Sequence, residues 1–317
     1  MCNGSIMDKL VSFALPLMLS GILQLMFNAV DIIVVGRFSG SEALAAVGST
    51  TALINVFTNL FIGISLGANV LAARFFAAGR KEEMSETVHT SITLALISGI
   101  LMAFVGLVFS KGALELMGTP EDVIGLSTLY MRIYFMGMPF FMLYNYGAAI
   151  LRAVGDTKRP LYFLIIAGVI NAGLNMVLVI VFGLGVAGVG IATVFSQMVS
   201  CVLVLTCLCR TEGSYKLSFS KLSMKGYYLK QIFQVGIPAG IQSTVINFSN
   251  ALLQSSVNSF GSTAMAGYTA ANNILGFLYV SINSVTQACM SFTSQNFGVG
   301  KYKRMDRVLI DCMILSV

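Results

Sequence analysis

The sequence predicts an all-α polytopic membrane protein in which parallel six-helix repeats form two lobes, the second of them incomplete in this chain. Three observations lead there. Hydrophobic residues make up 56% of the 317 and charged residues only 10%, with a mean hydropathy of +0.85, whereas soluble domains carry about 25% charged residues. The apolar runs reach the length of about twenty residues that a helix needs to cross a bilayer, and they lack the alternation of barrel strands. Basic residues collect in every second connection, as the positive-inside rule requires of a chain that threads back and forth.

The first run, 10–36, follows a short polar start. A secretory signal begins in the same way, but no small-residue cleavage site follows, so the run reads as a membrane helix. Further spans are predicted at 44–73, 88–109, 126–151, 160–182, 186–209, 229–259 and 264–296. Lipid offers the backbone no hydrogen-bond partner, so each run must close its bonds internally, as a helix does. A ninth run begins near 306 and is too short to span when the sequence reaches Val317.

Sixteen of the nineteen Lys and Arg residues lie at the start of the chain and in the connections after the second, fourth, sixth and eighth spans. The opposite connections hold Arg37 and Lys111, and Arg132 falls within a span. A cytoplasmic N-terminus follows, and the net charge of +6 is explained by the cytoplasmic loops without a nucleic-acid partner.

Sliding the chain along itself by about 221 residues reveals an internal repeat. "ALPLMLSGILQLMFNAVDIIVVGRF" lies over "GIPAGIQSTVINFSNALLQSSVNSF", so that Pro16 meets Pro238, Asn28 meets Asn250 and Phe38 meets Phe260. Further on Phe76, Gly79 and Met84 meet Phe297, Gly300 and Met305. Six spans separate the copies, so both begin on the same side of the membrane and the repeat is parallel. The predicted organisation is a six-helix lobe over 1–209, a linker over 210–228, and a partial second lobe over 229–317; a complete protein of this design has twelve spans.

Asp31 carries the sharpest chemical signal. A carboxylate inside a membrane helix costs a few kcal/mol on insertion scales and usually faces a bundle interior or a wet cavity. There, desolvation disfavours the charged form, so that a proton can come and go. The structural alternative is that Asp31 reaches the outer headgroups or pairs with Arg37. In "NAGLNMVLV", Asn171 and Asn175 stand four residues apart on one helical face; they either hold helices together or line a cavity with Asp31. Tyr130 and Thr193 are weaker candidates for the same cavity.

"FGLGVAGVGIAT" lacks the strand and acidic residue of a dinucleotide loop, so its glycines predict a tight turn and close helix packing. In "LRAVGDTKRP", Gly155 ends one helix and Asp156 or Thr157 caps the next. The 18 Met and 22 Phe suit an adaptable apolar cavity. The six cysteines lack zinc-type spacing and read as buried or lipid-facing thiols. His89, the one histidine, reads as a solvated loop residue. No nucleophile triad, metal motif or cofactor motif is present, and the chain does not read as an enzyme.

The proline-bearing first helix with "NAVDIIVVGRF", the loop "LRAVGDTKRP", the pair "NAGLNMVLVIVFGLGVAGVGIATVFSQ" and the six-helix repeat together resemble the multidrug and toxic compound extrusion (MATE) family. The resemblance implies two lobes around a central cleft, a bacterial inner membrane, a monomer when complete, and exchange of organic cations for protons or sodium. It makes Asp31 the ion-coupling acid and Asn171 its partner. Asn175 stands where many prokaryotic members carry an aspartate. Thr193 and Tyr130 match hydrogen-bonding positions of that pocket. In the seventh helix, "IQSTVINFSN" has no acid, only Asn247 as a cavity candidate, which favours H+ over Na+ as the coupling ion. No cofactor is implied; the partners are small organic cations and membrane lipid. Two rivals share the sequence evidence: a flippase for lipid-linked sugars, which needs a large basic cavity, and a non-transporting assembly subunit.

Overall fold

The computed structural model describes residues 1–258 and 262–316, without the side chains of Ala52, Phe248 and, between 251 and 274, all but Leu253, Ser256, Ala271 and Asn272. Helices α1 (Ile6–Phe38), α2 (Gly40–Ala77) and α3 (Lys81–Leu116) are followed by α4 (Glu121–Met136), α5 (Met138–Ala153) and α6 (Lys158–Asn175). A π-helical stretch, Met176–Val181, continues α6, and α7 (Gly185–Arg210) completes the first lobe. The second part holds α8 (Gly226–Asn258), α9 (Ser262–Gly298) and α10 (Tyr302–Ser316). Among the described residues, five helical segments are long and apolar enough by themselves to cross a membrane: α1, α2, α3, α6 with its π extension, and α7.

The predicted span 126–151 is two helices of 16 residues each. Pro139 has no N–H to offer Phe135 and its ring crowds that carbonyl, so the ladder breaks there. Gly137 carries the chain across in right-handed geometry, and its N–H bonds to Tyr134 O at 3.0 Å. The first turn of α3 begins before its apolar run because Glu82 and Glu83 complement the helix dipole. That places His89 well inside α3, where it is buried. The solvated position expected from the sequence is therefore wrong: the ring's Nδ1 bonds to Ser85 O at 2.7 Å and Nε2 accepts the Ser218 N–H at 3.1 Å. His89 thus ties the linker onto α3. Lys225 reinforces the tie through its N–H to Thr90 Oγ1 at 3.4 Å and an ion pair with Glu86 at 3.8 Å.

Two sequence readings of turns agree with the structure. Gly155, at φ +100°, ends α5 in a conformation that an L side chain rarely adopts, and Asp156 Oδ1 accepts the Arg159 N–H at 3.1 Å. In the glycine-rich stretch, Gly183 and Gly185 turn the chain with positive φ, while Gly190 lets α7 approach Ile133 of α4.

The lobes meet along two seams. Helix α2 crosses α8 through Gly63 and Gly67 on one side and Gly236 and Gly240 on the other. A Cβ on Gly63 would lie 2.3 Å from Gly240 Cα, and one on Gly67 2.2 Å from Ile232 O. Paired small-xxx-small motifs allow this backbone contact. Helix α1 packs on α9 through Phe13 and Phe292, whose rings meet edge to face at 5.6 Å, with Ala14 and Ala288 buried beside them.

Hydrogen bonds bind the lobes where the N-terminus lies. Asn69 donates to Ala149 O at 2.8 Å and accepts from Ser291 at 3.0 Å, and Gln295 donates to Ala153 O at 2.6 Å. Lys301 Nζ caps Cys2 O and Asn3 Oδ1, while Arg304 donates to Gly4 O. These hydrogen bonds between the lobes gather on one side, so the structure is closed at its N-terminal face.

Candidate functional site

Above that closure lies a cavity of about 490 Å³, walled by α1, α2, α4, α5, α6, α7 and α9. Helix α1 lines it from Leu17 to Asp31, 14 residues or about 21 Å along the helix axis. Three approaches shape it. Gly168 of α6 has no side chain where the Phe27 ring lies, since a Cβ there would sit 1.8 Å from Phe27 Cζ. This seats α1 against α6 and brings Asp31 to the level of the asparagines. Gly190 brings α7 to Tyr130. The π-helical turn begins directly after Asn175; such turns widen a helix locally and are frequent at functional sites.

Asp31 is 9% exposed and Asn175 fully buried. Asn175 Nδ2 donates to Asp31 Oδ1 and also to Asn171 Oδ1, the latter at 3.2 Å. The three residues therefore form one chain across α1 and α6. Asn175 Oδ1 is buried with no partner, an arrangement that costs about 1–3 kcal/mol when no donor reaches it. Asp31 makes no ion pair with Arg37, which is exposed, so the headgroup alternative for Asp31 is not the arrangement found.

Tyr130 is buried and lines the cavity. Thr193 lines it too, but its hydroxyl donates to Val189 O at 2.9 Å, within its own helix. Asn247 is the exception among the sequence candidates: it is exposed, donates to Ser243 O at 2.9 Å and is not part of the lining. Its carbonyl partner one turn away satisfies the amide without help from a cavity.

The cavity wall is richer in amides than the sequence reading foresaw. Gln24 and Asn28, Asn55 and Asn59, and Asn283 and Gln287 each repeat the four-residue spacing of Asn171 and Asn175, and all of them line the cavity. Gln287 Nε2 bonds to Asn283 Oδ1 at 3.1 Å. The signal that singled out α6 was present in α1, α2 and α9 as well. Basic residues also trade places. Arg132, the intramembrane cation of the sequence reading, is exposed on α4, whereas Arg152, counted there among loop cations, lines the cavity from the last turn of α5.

Among the described residues of this lining, Asp31 is the one carboxylate. The wall can hold a flat organic molecule against Tyr130, Tyr134, Phe141 and Tyr279, orient it through amides, and place a single ionisable oxygen near it.

Comparison with known proteins agrees with this architecture. The MatE family model matches residues 16–177 and 238–317, each segment opening at one of the paired prolines. A probable multidrug resistance protein of Bacillus subtilis, YoeA, is 33% identical over 314 residues, covering 96% of this chain and 67% of its own length. The FAD transporter of Shewanella oneidensis is 24% identical over 308 residues, covering 95% and 67%. The chain thus spans about two thirds of the length of these relatives. Among solved structures, a MOP-superfamily transporter from Pyrococcus furiosus superposes with a TM-score of 0.92 at 24% identity, over 99% of this chain and 70% of that one. By helix order, internal repeat and family match, the chain belongs to the MatE family, the multidrug and toxic compound extrusion transporters.

Proposed function

We propose that the protein is a secondary antiporter that exports organic cations or drugs in exchange for protons through Asp31. The observation that carries this reading is the chain Asn171–Asn175–Asp31 at the wall of the cavity, with the Asn175 carbonyl oxygen left without a donor. An ionised Asp31 accepts from Asn175 Nδ2. A protonated Asp31 has a hydroxyl to donate and needs an acceptor, which Asn175 Oδ1 supplies once its amide turns over. Proton binding thereby reverses the polarity of the bond between α1 and α6 and removes the negative charge that holds a cation.

The direction of transport follows from the charge distribution along the chain. With the N-terminus cytoplasmic, the closed N-terminal face makes this an outward-facing state. Protons from outside neutralise Asp31 and the cation leaves; the lobes rock, and deprotonation toward the cytoplasm prepares the carboxylate for the next substrate. Two lobes meeting mainly on one side are suited to such rocking.

Reconstitution in liposomes tests the reading. An imposed pH gradient should drive ethidium accumulation by the parent, and Asp31→Asn should abolish it at equal protein density. Accumulation that follows a sodium gradient and ignores pH, or transport unchanged by Asp31→Asn, overturns the assignment.

A further inference from the structure

A second cavity, of about 430 Å³, lies between the lobes at the N-terminal face and shares no lining residue with the first. Its walls are residues 4–7, which lead into α1 of the first lobe, and Lys303, Arg304, Arg307 and Asp311 of the second. Ile6 and Leu10 of α1 are buried in one apolar cluster with Val308 and Cys312 of α10, which seats the two helix starts side by side. Among the described residues of the lining, three cations stand against one carboxylate; Asp8, in the first turn of α1, is exposed and lies outside it.

Part of the basic charge at this face is already engaged. Lys9 Nζ donates to Asn3 O at 2.6 Å, Lys301 Nζ to Cys2 O at 2.9 Å, and Arg304 Nη2 to Gly4 O at 2.8 Å and Met1 O at 3.4 Å. The donors left over belong to the cavity. Arg304 Nε is buried with no partner, a costly state for a charged group until an acceptor arrives. Among the described residues, neither Lys303 nor Arg307 makes an ion pair or a side-chain hydrogen bond. The Ser5 side chain leaves the first-turn amides of α1 uncapped, and amides at a helix start donate readily to phosphate oxygens.

Depth and the flanking surface decide which anion fits. The apolar run of α1 begins at Leu10, just past Met7, and that of α10 at Val308, directly after Arg307. The cavity therefore sits at the level of the lipid headgroups, where basic pockets between membrane helices bind anionic lipid. From it two apolar stripes run into the membrane. Met7, Val11 and Leu15 share a face of α1 at four-residue spacing, and Ile310 and Ile314 follow Arg307 on α10; all but Met7 are exposed. A free phosphate uses the cations and leaves the stripes bare, whereas a phospholipid uses both.

We propose that this cavity is a binding site for an anionic phospholipid, with the phosphodiester held by Lys303, Arg304, Arg307 and the first amides of α1 and the acyl chains along the stripes of α1 and α10. The lipid touches both lobes beside the bonds that close the N-terminal face. The site is separate from the central cavity, so it stands whether or not Asp31 couples transport to protons.

The test is native mass spectrometry of the protein in an uncharged maltoside detergent, titrated with dioctanoyl phosphatidylglycerol or dioctanoyl phosphatidylcholine. The parent should bind the first phosphatidylglycerol at least tenfold more tightly than phosphatidylcholine, and millimolar inorganic phosphate should not displace it. Each basic residue beside an anionic headgroup contributes about fivefold to binding. The double variant Lys303→Gln/Arg307→Gln should therefore weaken phosphatidylglycerol at least tenfold at an unchanged melting temperature, because neither side chain bonds to the protein. Lys216→Gln/Lys221→Gln, which removes the same charge from the exposed linker, should bind as the parent does. Equal affinity of the parent for the two lipids overturns the site, as does a loss of equal size in both double variants, which marks general charge attraction. If the Lys303→Gln/Arg307→Gln protein melts early, Arg307→Lys decides: affinity within threefold of the parent at the parent's melting temperature supports the site, and a tenfold loss overturns it. Displacement by inorganic phosphate overturns the lipid assignment in favour of a free-phosphate site.

Discussion

Alanine at Gly63 should open the N-terminal face. Its Cβ would sit 2.3 Å from Gly240 Cα and 2.4 Å from Gly240 N, backbone atoms that no rotamer change can move. Carbon atoms prefer separations of about 3.5–4.0 Å, so α2 and α8 must part by roughly 1 Å or more for the methyl to fit. Overpacking of this kind costs about 1–3 kcal/mol, which moves a two-state equilibrium by roughly 5- to 150-fold. The loss falls on the closed arrangement, because the contact exists only where the lobes meet.

Nitroxide labels at positions 81 and 303, both exposed on the N-terminal face in different lobes, report the opening in a cysteine-free background. Double electron–electron resonance should show a single short distance in the parent and a second, longer population in Gly63→Ala. Gly112→Ala, in the closing turns of α3, is the control, since nothing lies within 4 Å of its added methyl. If Gly63→Ala gives the same distance distribution as Gly112→Ala, the backbone seam does not hold the face closed and the reasoning fails.

Asn175→Ala deprives Asp31 of its donor and should lower proton-driven transport at least tenfold while leaving the melting temperature within a few degrees; a transport-neutral variant would show that the amide does not serve the carboxylate. With Asp31 the one carboxylate among the described lining residues, the reversal potential of transport should report one proton per monovalent cation, and a value of two or more contradicts the assignment. His89→Phe leaves the Ser218 N–H without its acceptor, a loss of about 1–3 kcal/mol. Trypsin should then cut the linker at Lys216 or Lys221 faster than in the parent, and unchanged cleavage would show that the linker is held by other contacts.

Length and hydropathy were enough to find the spans, because a helix in lipid has few ways to be anything else. The break at Gly137 went unread because Pro139 lies in a run whose hydropathy does not change across it. Asp31, Asn171 and Asn175 were legible since polar side chains in an apolar field declare themselves, and the structure adds that one amide bridges the other two. His89 was misread for a related reason. Its polar neighbours place it near the surface by composition, but the N–H donor that its ring accepts from belongs to a linker residue 129 positions away. Arg152 was assigned to a loop because a basic residue at the end of an apolar run reads as an anchor. The fold places it in the cavity lining instead, which composition at the end of an apolar run does not reveal.

The internal repeat also explains why the two seams should respond differently to substitution. In its register, Gly63 and Gly67 correspond to Ser284 and Ala288, and Gly236 and Gly240 to Ala14 and Met18. Helix α1 therefore meets α9 as α8 meets α2, but with side chains where the other seam has bare backbone. Gly21 shows the consequence: an added Cβ would lie 2.4 Å from Val280 Cγ1 and 3.5 Å from Val280 Cβ, so the obstacle is a side chain. Gly21→Ala should open the face as Gly63→Ala does, and adding Val280→Ala should close it again, because the second change removes the methyl that the first one strikes. No such partner exists for Gly63, where the obstacle is Gly240 itself. The double-mutant cycle on positions 21 and 280, read by the same label pair, should give a coupling of about 1 kcal/mol or more; additive effects would mean that the α1–α9 seam yields elsewhere and that the side-chain contact does not set its spacing.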